Sequence, residues 1–334
     1  MLQHPAIIAL VGASLLVCAM VLYAGGYGVR ILKRWDLQSG SEEQLGLERR
    51  TYLISVILGY ALIFQVMSFF LFITTADTLH PLFVGAMCAA GSLNANGFGY
   101  PVLLLKTVNC LLAGAWLIVN RVDARGYDYP LIRPKYTLLL VLALLVTVET
   151  VTQIAYFSGL HADVITSCCG SLFSADRRDI AGELAGAPVR QTMLFFGLSL
   201  AACGVSGARF LARGKGDALF ALLGSVFFIT AVVAIVSFIS LYFYELPSHH
   251  CPFCILQKEY GHVGYLLYGT LLGGEIAALG VGFLAPFKTV PSMRMIIPPT
   301  QKRLVRAALL LFAIFSAAVA LRIVTTPFTL GVFD

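Results

Sequence analysis

Charge is scarce in this chain. Only 12% of its 334 residues are Asp, Glu, Lys or Arg, 59% are hydrophobic, and the mean hydropathy is +0.86. Soluble domains carry about 25% charged residues, so a water-soluble fold is excluded. Also lacking are the many short alternating segments of a closed β-barrel, which leaves helices as the way to pair every backbone group inside lipid. No phosphate-binding glycine loop and no nucleic-acid motif occurs, so no nucleic-acid partner is expected and the formal charge of +6 needs another explanation. The opening "MLQHPAIIALVGASLLVCAM" has neither a basic n-region nor a small-residue cleavage site, and reads as a retained first helix rather than a secretory leader.

What is present is a series of apolar runs. A hydrocarbon layer about 30 Å thick takes about 20 helical residues to cross. Eight runs meet that length: 7–27, 53–74, 101–120, 137–160, 192–211, 219–244, 255–287 and 305–326. They predict an all-α, polytopic transmembrane helix bundle, a single integral membrane domain over 1–334 with the lipid bilayer as its first partner.

The basic residues set an orientation. Taken in order, the connections alternate between two sets, and 17 of the 23 Lys and Arg fall in or beside one of them: Gly28 to Tyr52, Arg121 to Tyr136, the turn after Leu211, and Lys288 to Leu304. The positive-inside rule makes that set cytoplasmic and both termini extracytoplasmic, in a multi-pass protein of a bacterial inner membrane. The net charge is then mostly a topology signal.

This orientation sorts the eight cysteines. Cys18, Cys110 and Cys203 lie within spans and read as packing residues. Cys88, Cys168, Cys169, Cys251 and Cys254 all fall in extracytoplasmic loops, where disulfides form and persist. Five is odd, so one thiol should stay reduced, pair with another chain, or take part in exchange.

The densest chemistry lies in "SHHCPFCILQKEY", Ser248 to Tyr260. Pro247 and Pro252 predict that the sixth helix ends near Glu245 and that the seventh begins around Cys251 to Cys254. The dithiol would then sit at a helix N-terminus, where the macrodipole stabilises a thiolate. On that helix Cys254, Lys258 and His262 share one face, so the Lys258 ammonium would favour the anion further. A disulfide within Cys-x-x-Cys closes too small a ring to remove much chain entropy, which weakens a purely structural role. Redox exchange and metal binding stay open; for the second, His249, His250, Cys251 and Cys254 supply four N/S donors of the kind zinc or copper accepts. Covalent haem is disfavoured, because Ile255 stands where a c-type site needs histidine.

"CPFCILQKEY" opening a membrane helix resembles the active-site Cys-x-x-Cys of the DsbB and vitamin K epoxide reductase families, over about one hairpin of the chain. The resemblance implies a helical core that holds a quinone beside Cys251 and Cys254. It also implies a cysteine pair on another extracytoplasmic loop that exchanges electrons with a periplasmic thioredoxin-like protein. Cys168 and Cys169 are candidates for that shuttle, and one of them could instead pair with Cys88; a vicinal pair is also what soft-metal carriers use.

Further polar residues lie inside the spans. Lys106 and Glu149 are placed, by depth along the third and fourth runs, within reach of each other, and intramembrane ionisable groups by default mark a cavity or a proton path. Glu149, Gln153, Lys106 and His262 are the candidate quinone or proton-route contacts. Glu275 reads as interfacial, near the inner end of the seventh run. The leading expectation is a thiol–disulfide oxidoreductase that relays electrons between extracytoplasmic thiols and a membrane quinone. The alternatives are a protein that binds or transports a soft metal ion, and an anchor subunit of a larger respiratory or export complex.

Overall fold

In the computed structural model, which describes residues 3–161, 164–166 and 180–330, the chain is helical and no strand occurs among the described residues. Among the described residues, eight helices are long and apolar enough to cross a membrane: α1 Pro5–Arg34, α2 Glu42–Leu79, α3 Gly99–Asp123, α4 Ile132–Ser158, α5 Val189–Arg213, α6 Asp217–Tyr244, α7 Val263–Leu284 and α8 Ile297–Thr325. The chain is a multi-pass membrane protein by this measure.

The helices overrun the apolar stretches that announce them. At about 1.5 Å per residue the 38 residues of α2 extend about 57 Å. Its first turns, with Glu42, Glu43, Arg49 and Arg50, therefore continue the helix beyond a hydrocarbon layer of about 30 Å. The seventh run behaves differently. Its helix begins at Val263, not at Cys251 to Cys254, because Gln257 is extended and Gly261 and His262 both have positive φ, of 62° and 54°. Residues 254–256 and 258–260 form two separate 3₁₀ turns instead.

Two compact units divide the chain. The first comprises Met1–Thr75, Asn96–His161 and Pro286–Thr300. Its core joins Val17, Val21, Leu58, Leu62, Trp116, Leu139 and Leu142, while Leu16, Tyr60 and Leu144 are more than 60% exposed and form the lipid-facing side. Packing in lipid depends on close van der Waals fit rather than on water exclusion. Gly28 shows this, since a Cβ there would stand 2.9 Å from the ring of Tyr136 on α4. The α3–α4 connection is held by the buried Asp123, which accepts the Leu131 N–H at 3.0 Å and pairs with Lys135 at 2.5 Å.

The second unit comprises Ala76–Ala95, Ala162–Ala285 and Gln301–Asp334. Phe196, Phe227, Phe312 and Phe315 of α5, α6 and α8 stack at its centre, with ring centroids 4.8–6.3 Å apart. On α6 and α7, Gly224 meets Ala278 so closely that an added Cβ would lie 2.7 Å from the alanine methyl. α6 carries a π-helical segment, Ile235–Ile239, one turn before its end.

Candidate functional site

The π segment positions the dithiol loop. Such a bulge offers backbone acceptors to neighbouring side chains, and here the Val236 carbonyl accepts from His250 Nδ1 at 3.0 Å. α6 then stops at Tyr244, with Glu245 left-handed at φ 56°. The Tyr244 hydroxyl donates to the Cys251 carbonyl at 2.5 Å and accepts the Ile255 N–H at 2.9 Å, so one phenol brackets the Cys-Pro-Phe-Cys turn. From α7 the Tyr268 hydroxyl donates to the Pro252 carbonyl at 2.5 Å. Burial, followed by the nearby Cys254 sulfur, raises the Tyr260 phenol above its ordinary range and keeps it neutral. Its ring packs 4.8 Å from that of Tyr244.

The first turn of α7 sits directly on this loop. A Cβ on Gly264 would stand 2.9 Å from Leu256 Cδ2 and 3.0 Å from the Ile255 carbonyl carbon. Gly264→Val is therefore expected to cost about 1–3 kcal/mol by overpacking and to loosen the turn. Thermal unfolding in detergent checks the first effect, and faster alkylation of Cys254 checks the second.

A third cysteine arrives from elsewhere in the sequence. Cys88 caps the short helix Ala89–Leu93, and its sulfur accepts the Ala90 N–H at 3.4 Å. Asp77 Oδ1 accepts from the Ala89 N–H at 3.1 Å and from Gln257 Nε2 at 3.3 Å, and Gln257 also donates to the Met87 carbonyl at 2.9 Å. Gln257 thus ties the Cys-x-x-Cys arm to the Cys88 loop. The result is a cluster in which the sulfurs of Cys88, Cys251 and Cys254 all lie within 4.8 Å of one another, with Cys88 and Cys251 only 3.5 Å apart. All three are buried, at 0%, 0% and 5% exposure. His249 joins them, its Nε2 3.4 Å from the Cys254 sulfur and its ring edge-on to Tyr244 at 4.5 Å.

Several sequence expectations fare differently here. Lys258 and His262 do not share a helical face with Cys254, because the extended Gln257 breaks the helix between them. Lys258 is exposed on the following turn, and His262 is exposed with its Nδ1 2.7 Å from the Leu256 carbonyl. Nor does the dithiol stand at the N-terminus of α7. Of the four-donor metal set, Cys251 and Cys254 come together with Cys88, and His249 Nε2 lies beside Cys254, whereas His250 bonds to the Val236 carbonyl of α6. Cys168 and Cys169 lie outside the described residues. The chain two residues before Cys168 is held, however: Thr166 N–H donates to the Val84 carbonyl at 2.9 Å, four residues from Cys88. Gly85 permits this, at φ 88° with the Thr166 carbonyl where a side chain would stand.

No family model matches this chain. Neither a curated protein nor a solved structure resembles it significantly either, so what its site does rests on its own geometry.

A second polar cluster lies in the first unit. Lys106 Nζ pairs with Glu149 Oε1 at 2.6 Å, and Glu149 Oε2 accepts from Asn109 and from Gln65, each at 2.6 Å. Lys106 also donates to Ser68 Oγ at 3.3 Å and lies 5.5 Å from the Phe72 ring centroid. Lys106 does not snorkel: its side chain is fully buried. Gln153 donates to Ser14 Oγ at 3.0 Å and to the Leu10 carbonyl at 3.3 Å. Gln65 and Ser68, which complete the cluster, carried no signal beyond being polar in an apolar run. Glu275, expected at the interface, is instead mid-helix in α7 and buried, accepting from Ser225 Oγ at 2.5 Å.

Proposed function

We propose that this protein is a thiol–disulfide oxidoreductase of a bacterial inner membrane, in which Cys88, Cys251 and Cys254 exchange disulfides on the extracytoplasmic side. The observation that carries this reading is the approach of Cys88 Sγ to within 3.5 Å of Cys251 Sγ, in a buried group of three sulfurs. The asymmetric distribution of Lys and Arg supports the sidedness, with both termini outside.

On this reading each sulfur has a part. Starting from a Cys251–Cys254 disulfide, the Cys88 thiolate attacks Cys251, its neighbour. A Cys88–Cys251 bond forms, the Cys251–Cys254 bond breaks, and Cys254 leaves as a thiolate. His249 Nε2, at 3.4 Å, is placed to hand that leaving group a proton. The step conserves electrons and runs in either direction. A partner of thioredoxin-like class supplies or accepts the electron pair as two thiols, through Cys168 and Cys169, which sit two residues beyond the segment anchored at Val84.

Some second acceptor must close the cycle, and a membrane quinone is the two-electron class available in a bilayer. The polar residues of the first unit do not fit it as an open headgroup site. Lys106, Asn109 and Gln65 donate to Glu149, and Gln153 donates to α1, while the buried oxygens left over, Asn109 Oδ1 and Gln153 Oε1, are acceptors like a quinone's own carbonyls. No step is assigned to that cluster.

Removing the leaving group should trap the intermediate. Cys254→Ser protein, oxidised and digested, is expected to yield a Cys88–Cys251 disulfide peptide as the main product by mass spectrometry. If Cys88 stays reduced in that variant while Cys251 bonds only to exogenous thiols, the exchange reading is wrong.

A further inference from the structure

We infer that the reduced cluster is a binding site for a borderline-soft divalent cation of the zinc class, with Cys88, Cys251, Cys254 and His249 as its four ligands. Only reduced sulfurs are required, so this holds or fails separately from disulfide exchange. The donor set is the Cys₃His combination of closed tetrahedral zinc sites.

Two of the spacings between donors are close to those of such a site before any ion is added. Zinc bonds of about 2.3 Å to sulfur and about 2.0–2.1 Å to nitrogen, at tetrahedral angles, place sulfurs about 3.8 Å apart and sulfur from nitrogen about 3.6 Å. Cys88 and Cys251 are 3.5 Å apart, and His249 Nε2 lies 3.4 Å from Cys254. The third sulfur is within 4.8 Å of the other two. Two edges therefore need shifts of only tenths of an ångström, the third sulfur closes by up to about 1 Å, and His249, which is not within 4.8 Å of all three sulfurs, turns its ring inward from Cys254 to complete the site.

The surroundings hold the ligands in place, as hydrogen bonds to metal-binding side chains commonly do. The Ala90 N–H already points at Cys88 Sγ, the Tyr244 ring packs against His249, and two phenols fix the carbonyls of Cys251 and Pro252. His250 Nδ1 bonds to the Val236 carbonyl, whereas His249 Nε2 is the imidazole nitrogen found beside a cluster sulfur. This arrangement favours His249 of the two adjacent histidines. It also links occupancy to redox state: the ion displaces protons from the three thiols as it binds, and a disulfide between any two of them leaves too few donors to hold it.

Cobalt(II) is a suitable probe, because tetrahedral thiolate ligation gives it intense visible bands and a sulfur-to-metal charge-transfer band. Full-length protein, reduced in detergent, is expected to bind one equivalent with both signatures and to release it to zinc. Cys88→Ser should abolish the charge-transfer band at stoichiometric cobalt. His249→Ala should weaken binding at least about tenfold, and His250→Ala should leave the spectrum unchanged. Wild-type protein oxidised to the disulfide should not bind, which provides a control that needs no variant. Absence of the bands from reduced wild-type protein, or bands indifferent to Cys88→Ser, overturns the inference. Neither result bears on the disulfide trapped in Cys254→Ser, which reports on exchange alone.

Discussion

Lys106→Met is expected to destabilise the protein by about 3–5 kcal/mol, among the largest effects any single substitution here should have. The ammonium it removes is fully buried and bonded to a carboxylate that is 1% exposed. Taking one partner from a buried ion pair leaves the other charge without compensation, and that stranded charge, rather than the strength of the pair, sets the cost. Two amide donors remain on Glu149, from Asn109 and Gln65, and they soften the loss without supplying an opposite charge. Glu149→Gln should cost a similar amount by leaving the Lys106 charge without an opposite charge, with Ser68 Oγ, the Phe72 ring and a neutral amide oxygen around it.

Combining the two changes tests the cause. Lys106→Met with Glu149→Gln removes both charges and should recover most of the stability, because well-packed neutral replacements of a buried pair are commonly neutral. Denaturant unfolding in a defined detergent, run as a double-mutant cycle, checks it. A Lys106→Met protein within about 1 kcal/mol of wild type would mean that this contact does not hold the bundle together as an ion pair. The stable double variant then isolates function: if it exchanges disulfides at the wild-type rate, the cluster serves the fold of the first unit and not a proton route.

The eight spans were legible because length and apolarity report directly on the solvent, and lipid allows few other solutions. Helix ends were less so. Residues such as Glu42 and Arg49 continue a helix past the hydrocarbon, where hydropathy falls silent but backbone bonding does not. The seventh helix was misplaced for a local reason: Pro252 is compatible with a first helical turn, yet Gln257 is extended and His262 takes φ 54°, a conformation that sequence rarely signals for a non-glycine. Lys106 and Glu149 could be paired by counting depth along two helices. Cys88 could not be joined to Cys251 in that way, because 163 residues separate them and their approach depends on Gln257 reaching Asp77 and the Met87 carbonyl. Asp77, near the end of α2, and Gln257 look like ordinary polar residues until the chain is folded.

That misplaced helix changes which group should matter for the chemistry. If Cys254 stood on a helical face with Lys258, the lysine would activate it; with the chain broken at Gln257 and Lys258 exposed, His249 is the group beside the sulfur. His249→Ala is therefore expected to slow thiol–disulfide exchange about 100-fold, at the lower end of what a positioned acid–base group contributes. Lys258→Ala should leave the rate within about a factor of three, since an exposed charge acts through a screened field. His250→Ala separates position from identity: it removes an imidazole one residue away whose Nδ1 bonds to Val236, so it should affect the stability of the loop more than the rate of exchange. Stopped-flow measurement of the reaction between reduced protein and a small aromatic disulfide, with cluster sulfurs quantified before and after, checks all three. Were Lys258→Ala the slow variant and His249→Ala the fast one, the loop would have to carry its reactive thiolate on a helix after all, and the roles assigned to Cys254 and Cys88 would have to be exchanged with it.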